Sequence, residues 1–375
     1  MIPDISTIPL LQLASGDRLS LQVYKFAGIQ PGKKVYLQAN LHGAEIVGNA
    51  VIHQLIEFLM TLDTSQLAGE IWLLPVCNPL GTSQRGHNFS TGRFNSYDGK
   101  DWNRIFWDYE KECEDLDVFA QSQLDFDPAT IRQNYLKRIK ESFEKLLEKI
   151  QSPASVPYHE RYRYQLQSLC IDADYLIDLH SSTNQCVDFV YYFRHREESA
   201  KYFLLDCGIV LDKYDGDAFD EAFIKPWLAL EESFSKLGRQ IQFDIEAWTL
   251  ELGSGMQMNP KSVEKGIRGI KNYLIQKGIL YAGTFSHDEN IAREMIFKQR
   301  SEIKKYFAAA GGMIQNRVAL ETTVKAGDWL YQILSFNKVG ELPAVLDVCA
   351  EDAGIVFELS INESVNEGEF VLSMM

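Results

Sequence analysis

Residues 35–60 read VYLQANLHGAEIVGNAVIHQLIEFLM, and the fold class follows from them. Val35 to Asn40 form a short apolar run of strand type. Val47, Val51, Leu55 and Leu59 then recur every four residues, the period of a helix with one buried face. A second apolar run, IWLLPV (71–76), closes a strand, helix, strand unit. Further strand candidates are YLIDLH (175–180), VDFVYYF (187–193) and WTLEL (248–252), with helices expected at 225–237 and from Asn259-Pro260 to 276. The sequence up to about Leu280 therefore predicts an α/β layer architecture.

The turn inside the opening stretch carries the chemistry. Open α/β sheets place ligands at the carboxyl ends of their strands, and Leu41-His42-Gly43-Ala44-Glu45 follows such an end. His42 and Glu45, three apart at the entry to a helix, can face one ion. Zinc in a hydrolytic site takes three protein ligands, so a third must come from elsewhere. His180 closes the strand YLIDLH, and Asp178 lies two positions before it on the same side. There its carboxylate can accept the other ring N–H, as metal-bound histidines require. His53, His87, His159, His195 and His287 lie in helical or loop contexts without such company and are read as structural or surface groups.

Cleaving a carbonyl compound needs a base and cationic donors as well. Glu251 is a carboxylate between Leu250 and Leu252 on an apolar strand, and a glycine-rich turn follows it. Arg85, Arg93 and the pair Asn103-Arg104 gather in one loop of an otherwise acidic chain. Guanidinium forks suit carboxylates and tetrahedral oxyanions.

The 375 residues suffice for two domains, and 46% hydrophobic with 24% charged residues is ordinary globular composition. A net charge of -15 leaves no electrostatic footprint for nucleic acid. No stretch is apolar for long enough to span a membrane, and the first residues show no export signal. Six cysteines without a CxxC pair fit reduced thiols, so a cytoplasmic location is expected. The sequence leaves homo-oligomerisation open.

Two segments stand apart from the α/β rhythm. Residues 106–170 run through an acidic stretch to Asp127-Pro128, then place Ile131, Tyr135, Ile139, Phe143, Leu147 and Ile150 on one face of a long helix stopped near Pro153. Such an insertion is expected to be a solvated flank. Residues 290–375 contain an internal repeat. Gly312-Met313-Ile314 precedes Val324-x-x-Gly327-Asp328-Trp329, and Gly354-Ile355-Val356 precedes Val365-x-x-Gly368-Glu369-Phe370. Two such halves predict a small β-sandwich or barrel, and the pattern resembles the biotinyl and lipoyl carrier fold. Lys338 lies in the connection, but Asn337 and Val339 lack a carrier motif, so no covalent cofactor is expected there.

Taken in order, HGAE, NPLG, RFNSYDGKDWNR, DLHSSTN and TLELG resemble the succinylglutamate desuccinylase and aspartoacylase family, within the zinc carboxypeptidase clan. The resemblance implies a zinc carboxypeptidase-like mixed sheet flanked by helices over residues 1–289, with a C-terminal β-domain over 290–375. It implies one zinc per chain held by His42, Glu45 and His180, with Glu251 activating water. Arg93 matches the arginine that polarises the scissile carbonyl, and Asn103 with Arg104 matches the grip on a substrate carboxylate. Arg85 is a further candidate for substrate binding. The expected activity is hydrolysis of the amide of an N-acyl amino acid or similar small carboxylate. A carboxypeptidase acting on short peptides is the alternative, and a non-enzymatic carrier module is the second alternative. Ala44 and Trp102 depart from the Asn and Leu usual in the family.

Overall fold

A computed structural model describes residues 1–89, 91–212, 214, 217–281 and 295–375. An antiparallel pair, β1 (Asp4–Gln12) and β2 (Arg18–Ala27), precedes β3 (Gln30–Ala39). Helix α1 (Val47–Thr61) then crosses to β4 (Ala68–Leu74), which lies parallel to β3, so the opening stretch folds as its periodicity predicts. Val47, Val51, Leu55 and Leu59 form the buried face of α1.

After α2 (Pro79–Ser83), α3 (Leu116–Ser122), α4 (Pro128–Gln151) and α5 (Tyr158–Cys170), the chain enters β5 (Tyr175–Ser182). Two-residue β6 (Gln185–Cys186), β7 (Phe189–Phe193), α6 (Glu197–Ala200), β8 (Cys207–Leu211), α7 (Phe219–Lys236), β9 (Glu246–Ser254), α8 (Pro260–Gln276) and β10 (Ile296–Gln299) follow. They complete a nine-stranded mixed sheet in the order β1-β2-β4-β3-β5-β9-β7-β8-β10. β5 lies beside β3 and parallel to it, while the connection after β3 runs the other way, to β4. The direction of winding reverses between these two strands, which opens a crevice at their carboxyl ends. One face of the sheet packs on α1 and α8, the other on α4, α5 and α7, so the central strands are buried on both sides. Their nearly continuous apolar sequences reflect that double burial.

Two readings of the helices need correction. The segment 106–170 is not simply a solvated flank: Ile131, Tyr135, Ile139 and Phe143 of α4, with Tyr162 and Leu166 of α5, belong to the core on one face of the sheet. Leu147 and Ile150 are half-buried at the far end of the same stripe. Helix α7 starts at Phe219, six residues before the expected position, and runs through Pro226. Proline removes one N–H from a helix. Its own carbonyl is used from outside by the Tyr135 hydroxyl at 3.1 Å.

Residues 304–374 form two further layers. β11 (Lys304–Phe307), β12 (Gly312–Gln315), β13 (Thr323–Val324), β14 (Trp329–Ser335), β15 (Ala344–Cys349), β16 (Gly354–Leu359), β17 (Ser364–Val365) and β18 (Phe370–Met374) divide between a sheet ordered β11-β18-β16-β13 and one ordered β15-β14-β12-β17. The sequence repeat is interlocked: β13 of the first half pairs with β16 of the second, and β17 of the second pairs with β12 of the first. Gly327 and Gly368, equivalent in the repeat, both adopt positive φ (89° and 83°), the conformation their turns require. The expected boundary at 289/290 and His287 lie outside the described residues.

The buried stripe of α4 predicts a stability contrast. Ile131→Ala should cost about 2–5 kcal/mol in denaturant unfolding, whereas Glu144→Ala on the exposed face should stay within about 0.5 kcal/mol. Equal, small effects would return the segment to the role of a detachable flank.

Candidate functional site

The crevice between β3 and β5 opens into a cavity of about 300 Å³ lined by His42, Glu45, Arg93, Asn103, Arg104, His180 and Glu251. Backbone constraints build its first wall. Asn40, in the left-handed region at φ 71°, donates from Nδ2 to the carbonyls of His42 (3.2 Å) and Gly43 (3.1 Å), while its Oδ1 accepts from the Thr82 hydroxyl. Asn78, the first residue of NPLG, donates to the Leu41 carbonyl at 2.8 Å. Gly43, Gly81 and Gly92 meet here: a Cβ on Gly43 would stand 2.1 Å from the Gly81 carbonyl oxygen, and one on Gly92 only 2.6 Å from the Gly43 Cα. HGAE, NPLG and the residue just ahead of RFNSYDGKDWNR thus supply the bare backbone that lets these loops converge.

Glu45 lies between the two imidazoles. Its Oε1 is 2.9 Å from His42 Nδ1 and its Oε2 2.8 Å from His180 Nδ1. Ligand atoms of the three residues lie within 4.8 Å of one another, and all three side chains are buried. The outer nitrogens face carboxylates, His42 Nε2 to Asp101 at 2.9 Å and His180 Nε2 to Asp178 at 3.0 Å. An Arg93 N–H group also lies 3.4 Å from His42 Nδ1. Each imidazole is thereby held with Nδ1 turned inward, the arrangement a metal-binding histidine needs. Burial opposes the charge on Glu45, but His42 and His180 outweigh it and hold the carboxyl well below its usual range. Against burial, Glu45 and Asp101 raise the pKa of His42, and Asp178 and Glu45 raise that of His180; two imidazoles and one ionised carboxylate form a donor set that suits zinc.

Asp101 was not singled out in the sequence, where a carboxylate in the turn DGKDWNR reads as a surface group. It ties three site residues together. Its Oδ1 accepts from His42 Nε2 and from the Asn103 backbone N–H (2.8 Å), and its Oδ2 faces Arg93 Nε at 3.1 Å. Burial would raise its pKa, but the His42 hydrogen bond and charge bring it down to about 2. Trp102, beside it, is buried edge-on against Tyr158 and Tyr162 of α5, so the insertion packs directly behind this loop. Asn103 gives its Oδ1 to the Phe219 N–H at the start of α7 (2.8 Å), leaving its amide N–H groups to meet a ligand. Arg85 stands apart from the residues that line this cavity, and its guanidinium donates to the carbonyls of Thr82 and Gln84 at the end of α2.

Glu251 is level with His180 in the β5–β9 register and lies on the cavity floor. Its Oε2 is buried without a hydrogen-bond partner. Burial pushes its pKa up to about 7, against the pull of His180. The far wall comes from the C-terminal sheets. β6 pairs antiparallel with β16, and Glu358 of β16 accepts from Ser182 Oγ (3.1 Å) at the end of β5 and from Asn184 Nδ2 (2.9 Å) in the loop beyond it. Within that loop, Thr183 Oγ1 stands 3.5 Å from Arg93 Nη1.

A family model for the succinylglutamate desuccinylase/aspartoacylase catalytic domain matches residues 31–276. The chain belongs to this family. Its members are hydrolases that remove acyl groups. A Shewanella amazonensis protein assigned to the family is 30% identical over 99% of this chain and 98% of its own, with a TM-score of 0.85. One from Shewanella frigidimarina, at 26% identity over 100% and 97%, superposes with a TM-score of 0.88. The ectoine utilisation protein EutE (DoeB) of Ruegeria pomeroyi shares the fold at 17% identity over 99% and 93%, with a TM-score of 0.64. No curated protein matches by sequence. No helix among the described residues is long and apolar enough to cross a membrane.

The position of Asp101 makes a specific prediction. Asp101→Asn removes the charge that fixes His42 while keeping the shape, so zinc affinity should fall about 10- to 100-fold in a competition titration with a chelator. An unchanged affinity would reduce Asp101 to a packing role.

Proposed function

We propose that the protein is a zinc-dependent deacylase that hydrolyses the amide of an N-acyl amino acid or a similar small carboxylate. The observation that carries this reading is Glu251: a buried carboxylate with one unpartnered oxygen, level with His180 and opening into the same cavity. Membership of a deacylase family supports the reaction class.

His42, Glu45 and His180 would hold the metal. When bound, zinc supplies a Lewis acid that polarises the amide carbonyl and makes water easier to deprotonate. Glu251 takes the proton from the attacking water and returns it to the leaving amine, a task suited to a carboxylate with a pKa raised to about 7. Arg93, anchored by Asp101 through Nε, meets the negative charge that grows on the carbonyl oxygen. The Asn103 amide and the Arg104 guanidinium take the free carboxylate of the substrate, which sets the scissile bond over Glu251. Products are a carboxylic acid and a free amine.

Elemental analysis should find about one zinc per chain, lost in His42→Ala/His180→Ala. Full zinc retention in the double variant would show the ligand set to be wrong. Glu251→Gln should keep its zinc and lose about 10²-fold or more in kcat, and near-normal turnover would demote Glu251 to a strand residue.

The two arginines separate kinetically. Arg104→Lys keeps the charge but loses the fork and should chiefly raise KM, whereas Arg93→Ala should chiefly lower kcat. The same KM and kcat pattern in both variants would contradict the division of roles.

A further inference from the structure

Resting on the zinc reading, we infer that Gln38, with Tyr36 behind it, is a positioning residue for the metal site: its amide holds the Asp178 carboxylate in the orientation that fixes His180. Gln38 is a polar side chain inside the apolar run VYLQAN, and it is wholly buried. A buried amide is costly unless its polar ends are bonded. Here both ends are used. Nε2 donates to Asp178 Oδ1 at 3.1 Å, and Oε1 accepts from the Tyr36 hydroxyl at 3.1 Å.

The sheet register brings these groups together. Gln38 of β3 stands opposite Asp178 of β5, which in turn stands opposite Thr249 of β9. Tyr36 lies two residues before Gln38 on the same face of its strand, as Asp178 lies two before His180. Asp178 is wholly buried, and its two oxygens divide their work: Oδ2 faces His180 Nε2 at 3.0 Å, while Oδ1 takes the Gln38 N–H. Thr249, the neighbour on the other side, turns its hydroxyl to Asp220 of α7 at 2.7 Å. Among the described residues, the hydrogen bond to Oδ1 therefore comes from Gln38.

Chemistry sets the direction of this chain. A carboxylate can only accept, so the amide must turn its N–H groups toward Asp178 and its oxygen toward Tyr36. Burial pushes the Tyr36 phenol well above its ordinary pKa, so the hydroxyl keeps the proton it donates. Tyr36 thereby keeps the amide from flipping, Gln38 keeps the carboxylate from turning away, and Asp178 keeps His180 Nδ1 facing Glu45 at 2.8 Å. An apolar residue at position 38 would leave Oδ1 buried without its donor, and the carboxylate would be free to rotate against the ring.

The test measures zinc affinity by chelator competition, and the ring N–H resonances of His42 and His180 by NMR on histidine-labelled protein with and without zinc. Gln38→Leu should lower zinc affinity about three- to tenfold, less than the loss of about 10- to 100-fold expected of a direct partner. It should also move the His180 Nε2–H resonance while that of His42, held by Asp101, stays. In an Asp178→Asn background Gln38→Leu should have no further effect, because its path to the ring has gone. Tyr36→Phe, a milder change, should move the same resonance and add nothing to Gln38→Leu. Unchanged zinc affinity in Gln38→Leu, an equal loss in both backgrounds, or a His180 resonance that stays or moves only together with that of His42 overturns the proposal. If Gln38→Leu does not fold, Tyr36→Phe decides by the same resonance. If wild type takes up no zinc at these ligands, the zinc reading fails on its own, and the resonances of the metal-free protein still decide whether Gln38 positions His180.

Discussion

The site depends on one arrangement: the Glu45 carboxylate between two imidazoles, each fixed from behind by a second carboxylate. Burying a carboxylate is costly unless its charge is matched. Here the donors are oriented before any ion arrives, because Asp101 and Asp178 decide which ring nitrogen turns inward. The surrounding backbone serves the same end. Asn40 holds the loop of His42 and Glu45, β5 carries Asp178 and His180 on one face, and the glycine junction brings the Arg93 loop within reach.

The C-terminal sheets belong to this arrangement as well. Through β6 and Glu358 they brace the loop that follows His180, and through Arg300, Phe357 and Glu358 they form one wall of the cavity. The helical insertion acts from behind, with Tyr158 and Tyr162 packed on Trp102. The departure at Trp102 is thereby explained: a larger side chain fills the space against α5. Nothing in the structure explains Ala44 in place of Asn.

What the sequence made legible follows from local rules. Strands buried on both faces appear as apolar runs, so β3, β4, β5, β7 and β9 were visible. The i, i+2 placement of Asp178 and His180 on a strand is likewise local geometry. β1 and β2 were missed because β1 is largely exposed or half-buried and β2 has only three buried positions, which gives no apolar run. The start of α7 was missed because Asp220 and Glu221, ordinarily surface residues, are buried in its first turn. Asp101, Arg300 and Glu358 could not be read, since each meets the site through contacts that only tertiary packing creates.

The central claim is that His42, Glu45 and His180 hold zinc through ring nitrogens already turned inward. A crystal structure with anomalous diffraction recorded on both sides of the zinc edge tests it most directly. The account predicts a single zinc peak bonded to Nδ1 of His42, Nδ1 of His180 and the Glu45 carboxylate, with both Nε2 atoms still facing Asp101 and Asp178. A zinc peak elsewhere, or one reached through Nε2 of either histidine, would contradict it.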